Sequence, residues 1–445
     1  MYTNNLQLRY ADTLHNYDVY PKVVQAGKSS AITIAPRGHH AAFKQESYRL
    51  SVHPFDEGSP WYYPEYNNDF VFDAAPDADG CIRFSFEFFG CQQFYIRLNA
   101  DKFKLQVSVF CVEDDLVGRY PFRGDLHLHS NYSDGRQAPA MVAANYRKTG
   151  YDFLAITDHH RYAPSLEAIA AYQDVPIELC LVPGEEVHPP QDETHKSDPH
   201  IIHFGGLHSI NDMMEDADEH FATVEAYMET LDIPACFVGF ERYYFASCHW
   251  VFSEIRKAGG LGVFCHPYWI SDVLQIPPRL VNKLMQHLPF DAFEVLGGES
   301  YEEQNNFQTV QYYEDRAKGR NYAIVGSTDS HNSVNSRDSH VCCTLAFAQA
   351  NERESLIHAI RDGYSVAVDT MDEMPRFVGE LRLVRYACFL LKEFFPLHDE
   401  LCFEEGRAMH DYACGVPGAK ETLEFLSGRM AKQREKYFQF VMRNA

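Results

Sequence analysis

Two histidines stand one residue apart in the run Gly124-Asp125-Leu126-His127-Leu128-His129-Ser130. On an extended strand residues i and i+2 project from one face, so His127 and His129 can grip one metal ion between them. A lone pair of this kind is also what two satisfied surface histidines look like, but further residues of the same types follow. Asp134 lies in the next turn, Ser133-Asp134-Gly135, where a carboxylate can swing back toward an ion. His159 ends Ile156-Thr157-Asp158-His159, Glu185 and Glu186 follow Pro183-Gly184, His203 lies in HIIHFGG, His266 precedes Pro267, and Asp329 and His331 follow YAIVGS. Each falls at or just beyond the carboxyl end of a predicted strand. Separate core histidines have no reason to recur there strand after strand, so the pattern points to a multinuclear metal site. Imidazole and carboxylate without thiolate suit Mn²⁺, Fe²⁺ or Zn²⁺. Two such ions about 3.5–4 Å apart can share a hydroxide and neutralise charge on a scissile phosphoryl or carbonyl group, with no need of a nucleophilic Ser or Cys.

The elements that must position these residues are legible in the hydrophobic pattern. Before residue 112 apolar residues alternate, as in Ile82, Phe84, Phe86 and Phe88 or Leu105, Val107, Val109 and Cys111, with breaks such as DAAPDADG. A period of two with Gly, Pro and Asp punctuation predicts antiparallel strands in a sandwich. From about residue 123, short apolar runs (FLAIT, IELCLV, LGVFCHP, FEVLGG) alternate with helical segments at 138–149, 247–258 and 301–318. Alternating β and α elements predict a parallel sheet or barrel with its site at the carboxyl ends of the strands. Past about residue 374 apolar spacings of three, four and seven predict helices. The expected fold is therefore α/β: a β-sandwich over 1–119, a distorted (β/α)7-type barrel over 120–374 and a helical segment over 375–445.

Composition narrows the partners. With 39 Lys and Arg against 63 Asp and Glu, the 445-residue chain carries a net charge of −24. A field of that sign repels polyanions, so long duplex nucleic acid and anionic membrane surfaces are disfavoured. The twelve cysteines form no CxxC pair, and no stretch approaches about 18 uninterrupted apolar residues. These features predict a soluble cytoplasmic protein with reduced thiols. Of 22 histidines, 15 fall between His127 and His340, just under half of the length, which is where the chemistry is concentrated.

The ordered motifs GDLHLHSNYSDG, FLAITDH, LVPGEE, HIIHFGG, FCHP and GSTDSH resemble those of the polymerase and histidinol phosphatase (PHP) domain, a distorted β/α barrel of metal-dependent hydrolases. The resemblance spans about residues 123–370. It extends to the branch in which a β-sandwich precedes the first motif, a branch that includes ester and carbamate hydrolases beside phosphoesterases. Carried over position by position, it implies that His127, His129, Glu186 and Asp329 surround one ion. Glu186 would bridge to a second held with His203 and His266, and Asp134, His159 and His331 would hold a third. Glu186 is preferred to Glu185 because the family pattern reads Gly-x-Glu, and Asp134 stands where many members have His. Two to three divalent ions are thus expected, with Glu186, Asp329 and His331 closest to the chemistry. The expected activity is hydrolysis of a small phosphate ester. Its rivals are a carboxylic or carbamate ester hydrolase and a non-catalytic PHP module, the latter at odds with nine competent ligand positions.

Other residues have roles set by position. Asp125 and Asp158 precede ligand histidines and are expected to orient them, since a ligating imidazole usually donates its other N–H to a carboxylate or carbonyl. Glu294 is expected to pack or to bond a ligand, and His160 and His200 stay outside the ligand set. Arg136, Lys196 and Arg337, in loops on the expected active face, are candidates for binding a substrate phosphate. The aromatic run Trp61-Tyr62-Tyr63-Pro64-Glu65-Tyr66 is expected at a sandwich edge or domain interface, and Gly259-Gly260 and Gly297-Gly298 at turns.

Overall fold

The computed structural model describes residues 13–56, 70–270, 272–297, 302–334, 341–370 and 374–440. The aromatic run at 61–66, Arg337 and Gly298 lie outside these residues. Two compact units divide the chain.

One unit takes the described residues of Leu6–Tyr120, Glu380–Leu401 and Gly428–Ala445. Its strands are β1 (Tyr17–Tyr20), β2 (Val23–Gln25), β3 (Ser29–Pro36), β4 (Tyr48–Pro54), β5 (Phe70–Ala74), β6 (Ile82–Glu87), β7 (Gln92–Ala100) and β8 (Phe103–Val112). They form a three-stranded sheet in the order β1-β3-β6 and a five-stranded sheet in the order β2-β8-β7-β4-β5. The alternation read from the sequence is the inward face: Ile32, Ile34 and Ile82 of one sheet share a core with Leu50, Val52, Ile96, Leu98 and Val109 of the other. All pairings are antiparallel except β2 with β8. The helix Leu381–Glu393 belongs to this unit, with Tyr386 stacked on Phe110 at 4.9 Å and the Ser108 hydroxyl donating to Glu393 at 3.0 Å.

The other unit includes Pro121–Gly379 and Cys402–Ser427. Its strands are β9 (Tyr120–Asp125), β10 (Phe153–Ala155), β11 (Cys180–Val182), β12 (Gly184–Val187), β13 (Ile201–Phe204), β14 (Leu261–Phe264), β15 (Ala292–Leu296), β16 (Ala323–Gly326), β17 (Cys342–Ala348), β18 (Ser365–Asp369) and β19 (Arg376–Val378). One sheet has the order β11-β10-β9-β17-β18-β19 and the other β12-β13-β14-β15-β16. Residues beyond the strand ends link the two sheets: Leu128 bridges Ser330 and His159 bridges Glu186, both in parallel sense. These strands are buried on both faces, which is why they read as unbroken apolar runs.

Among the described residues four pairings depart from the parallel expectation: β17 with β18 and β18 with β19 are antiparallel, and so are both pairings of β13, which bear on the site. β13 runs antiparallel to both β12 and β14, so its amino end, not its carboxyl end, lies beside the carboxyl ends of its neighbours. The helices at 139–148, 240–257 and 302–317 bear out the predicted segments, the second beginning seven residues earlier than expected, after Gly239. Among the described residues no helix is long and apolar enough to cross a membrane.

Candidate metal centre

Ligand-type atoms converge where the two sheets are bridged. His127 and His129 extend β9, and backbone bonds from Asp329 N–H to His127 O and from His129 N–H to Ser330 O, both 2.9 Å, hold the segment after β16 alongside them. That register brings Asp329 Oδ1 to 3.0 Å from Nε2 of both histidines. Glu186 Oε2 stands 3.2 Å from His127 Nε2 and 3.4 Å from His129 Nε2. Ligand atoms about 2.1 Å from an ion in a tetrahedron stand about 3.4 Å apart, so the spacing of these four groups fits a common cation. His127, Glu186 and His129 are fully buried or nearly so.

The charges agree with that fit. Burial alone would raise the Glu186 carboxyl, yet His127 and His200 hold it well below the usual carboxylate range. Burial alone would lower His127, yet Asp329 and Glu186 hold it well above the ordinary imidazole value. Two buried carboxylates thus draw positive charge onto their neighbours, the role a divalent cation fills.

A second donor set surrounds the other oxygen of Glu186. Oε1 is buried and makes no hydrogen bond, and neither does His200 Nδ1, 2.9 Å away. His266 Nε2 is 3.6 Å from the same oxygen. His203, expected here, is elsewhere: its Nδ1 bonds Glu185 Oε1 at 3.0 Å and its ring stacks beside Tyr162. Two features of β13 cause the correction. Its reversed direction puts His200, just before the strand, at the active face, and the register pairs Glu185 with His203 and Glu186 with Ile202, so Glu186 and His203 point to opposite faces. A Cβ on Gly206 would lie 1.7 Å from His203 Nε2, so the second glycine of HIIHFGG makes room for a packed histidine.

The third set is more open. Asp134 Oδ2 lies 3.4 Å from His159 Nε2 and 3.2 Å from His331 Nε2, with the Asp134 side chain 54% exposed. His159, though burial opposes its charge, is raised to about 10 by Asp134 and Glu186.

The supporting residues have definite partners. Glu294 Oε2 bonds His127 Nδ1 at 3.1 Å and Oε1 accepts the His266 backbone N–H, so it orients one imidazole and the backbone of another. Asp125 accepts from the backbone N–H of His127 and Thr328 and from the Thr328 hydroxyl, tying the strand ends together rather than an imidazole. Asp158 likewise accepts from Ser130 and Ser133, fixing the loop that carries Asp134. Glu185 is fully occupied by His203, Ser209, Ile210 N–H and Asn211. His266 and Asp329 hold φ of 25° and 51°, a left-handed backbone that costs a non-glycine residue about 1–3 kcal/mol and clusters at functional sites. Cys265, beside His266, is pushed up to about 11 by burial and donates its thiol to His200 O. Arg136 and Lys196 are exposed.

His188 is a member of the cluster that the sequence motifs did not single out, and His200, expected to stay outside the ligand set, belongs to it as well. Glu186-Val187-His188 repeats the i, i+2 spacing of His127 and His129, which is the signal that marks His188.

No family model matches the chain. It is 33% identical over 66 residues to the DNA polymerase/3'-5' exonuclease PolX of Bacillus subtilis (strain 168), a match covering 15% of this chain and 12% of that protein. Among solved structures, it is similar to a two-domain protein of Bacteroides vulgatus containing a predicted PHP-like metal-dependent phosphoesterase. That match has a TM-score of 0.38 and 18% identity over 56% of this chain and 65% of the other. It is also similar to an amidohydrolase of Chromobacterium violaceum, with a TM-score of 0.32 and 20% identity over 49% of this chain and 89% of that one.

Proposed function

We propose that this chain is a metal-dependent hydrolase of the PHP superfamily, acting as a phosphoesterase on a small phosphorylated substrate. The observation that carries the reading is the convergence of His127, His129, Glu186 and Asp329 within 3.0–3.4 Å, with the second oxygen of Glu186 buried and unbonded beside His200. Bridges Leu128–Ser330 and His159–Glu186 support a seven-stranded distorted barrel of β9, β10 and β12–β16 around that point. The domain layout proposed with it is a sandwich over 1–119, the barrel over 120–374 and a helical segment from 375.

Two to three divalent ions, Mn²⁺, Fe²⁺ or Zn²⁺, would be held by His127, His129, Glu186 and Asp329, by Glu186, His200 and His266, and by Asp134, His159 and His331. When bound they would supply Lewis-acid activation of water and charge neutralisation at the scissile group. The chain's residues supply the rest. Glu186 gives one oxygen to each of two donor sets and so keeps their centres close. Glu294 fixes the His127 ring so that Nε2 faces inward. His331 and Asp134, the more exposed groups, stand where substrate enters. Arg136, two residues from Asp134, and Lys196 are the proposed phosphate contacts, with Arg337 a third.

Elemental analysis followed by assay of the metal-replete protein on phosphomonoesters, phosphodiesters and carboxylic esters tests this. Bound transition metal with turnover of a phosphate ester is expected. Metal without phosphate-ester turnover but with carboxylic-ester turnover moves the reading to an esterase, and neither metal nor turnover removes it.

A further inference from the structure

The sequence Glu186-Val187-His188 puts His188 on the same face of β12 as Glu186. The β12–β13 register, Glu186 opposite Ile202 and Val187 opposite Ile201, continues to His188 opposite His200. Their rings are 4.2 Å apart. We propose that His188 is a ligand of the second ion, completing with Glu186, His200 and His266 a cage of three imidazoles and one carboxylate.

The proposal deepens the metallohydrolase reading and rests on it. Glu186 Oε1 is the common point: His200 Nδ1 is 2.9 Å from it, and His188 Nε2 and His266 Nε2 are each 3.6 Å from it. These separations bracket the roughly 3.4 Å edge of a tetrahedron of N and O ligands about one ion. Oε1 and His200 Nδ1 are buried without hydrogen bonds, and an ion among the four groups satisfies both. His188 is itself buried, and its backbone N–H is fixed by Asn211 Oδ1 at 3.2 Å. The same Asn211 donates to Glu185 and to Glu186 O, so one side chain sets the end of β12 on which both Glu186 and His188 depend. The 2.8 Å contact of His188 Nε2 with His159 Nδ1 is the bond that coordination would replace, and His159 keeps Glu186 Oε2 at 2.9 Å as a partner.

A cage of four protein groups changes what the ion does. Three imidazoles and a carboxylate favour four-coordinate Zn²⁺ or Co²⁺ over Mn²⁺ or Mg²⁺. The second ion would then outlast the third under a chelator, since the third set includes the exposed Asp134.

Co²⁺ titration of the metal-stripped full chain, followed by visible absorption and by elemental analysis after chelator challenge, tests the assignment. His188→Phe should weaken one Co²⁺ by about tenfold or more and lower the four-coordinate d–d absorption. His160→Phe is the control: the His160 ring is 4.5 Å from that of His188, and its loss should leave the isotherm unchanged. His188→Cys should add a thiolate-to-cobalt charge-transfer band, a gain of signal that still decides if the Phe variant fails to fold. A His188→Phe isotherm and spectrum equal to wild type, or no new band in His188→Cys, overturns the proposal and leaves His188 as a hydrogen-bond partner of His159. A wild-type chain that takes up no Co²⁺ overturns the metallohydrolase reading itself.

Discussion

Adjacent glutamates show how a single step along a strand separates two roles. Glu185 points to the face where His203, Ser209, Ile210 N–H and Asn211 use up its acceptor capacity, whereas Glu186 faces the imidazoles and leaves one oxygen unbonded. Glu186→Gln removes the charge that, in the proposed centre, would let two cations sit close, so turnover should fall by about three orders of magnitude or more, with loss of bound metal on elemental analysis. Glu185→Gln should keep its metal and instead lose stability, by about 1–3 kcal/mol in urea unfolding, because a buried acceptor network is broken. Equal metal loss in both variants would contradict the division. The histidines of β13 follow the same logic: His200→Ala should lower metal content while His203→Ala should leave it intact. The residue types were all legible in the sequence. What spacing alone did not reveal was the parity at 200–203, because both histidines sit in one short apolar run.

The strand that misled the sequence reading, β13, also explains where such readings stop. Placement of ligands at carboxyl ends holds for β14 and β16, which are followed by His266 and Asp329, because both strands run parallel to β15 between them. β13 has the same apolar composition, and nothing in four buried residues encodes direction; the connection at 188–200 is long enough for either sense, and the antiparallel pairing on both sides is what the strand adopts. The helix after Gly239 was legible in part, over 247–258, whereas its partner Ala217–Met228 and the buried polar residues between them were not. His220 in the helix Ala217–Met228 lies edge-on to Trp250 of Phe240–Lys257 at 4.9 Å, with neither ring nitrogen bonded. Burial lowers it to about 4, and His249 on the second helix is lowered to about 4 in the same way. Between pH 4 and about 6.5 the unfolded chain therefore binds protons that the folded pair refuses, so stability is full above about 6.5 and falls as pH drops toward 4. His220→Phe, which removes one such group, should flatten the acid limb of a Tm-against-pH curve. An unchanged limb would assign acid sensitivity elsewhere.

For the whole molecule, the change of apolar period near residue 120 marks where the motif-bearing region begins, and three parts were expected, over 1–119, 120–374 and 375–445, where the chain groups into two compact units. The helical tail was not legible as a partition: residues 380–401 and 428–440 group with the first unit and 402–427 with the second. Periodicity reports a buried face and carries no information on which surface covers it. Net charge is the property that belongs to no single element. At −24 the molecule repels an anionic substrate at long range, while ions held at the proposed centre would attract it only close by. The balance shifts with salt, because the screening length falls from about 30 Å at 0.01 M to about 8 Å at 0.15 M. Screening therefore removes the long-range repulsion first, and kcat/KM for a phosphate ester should rise, on the order of twofold or more, across that range. A neutral carboxylic ester turned over by the same protein should show no such rise. If kcat/KM for the phosphate ester instead falls steadily with salt, local cations such as Arg136 and Lys196 dominate its approach, and Lys196→Ala should then abolish the dependence.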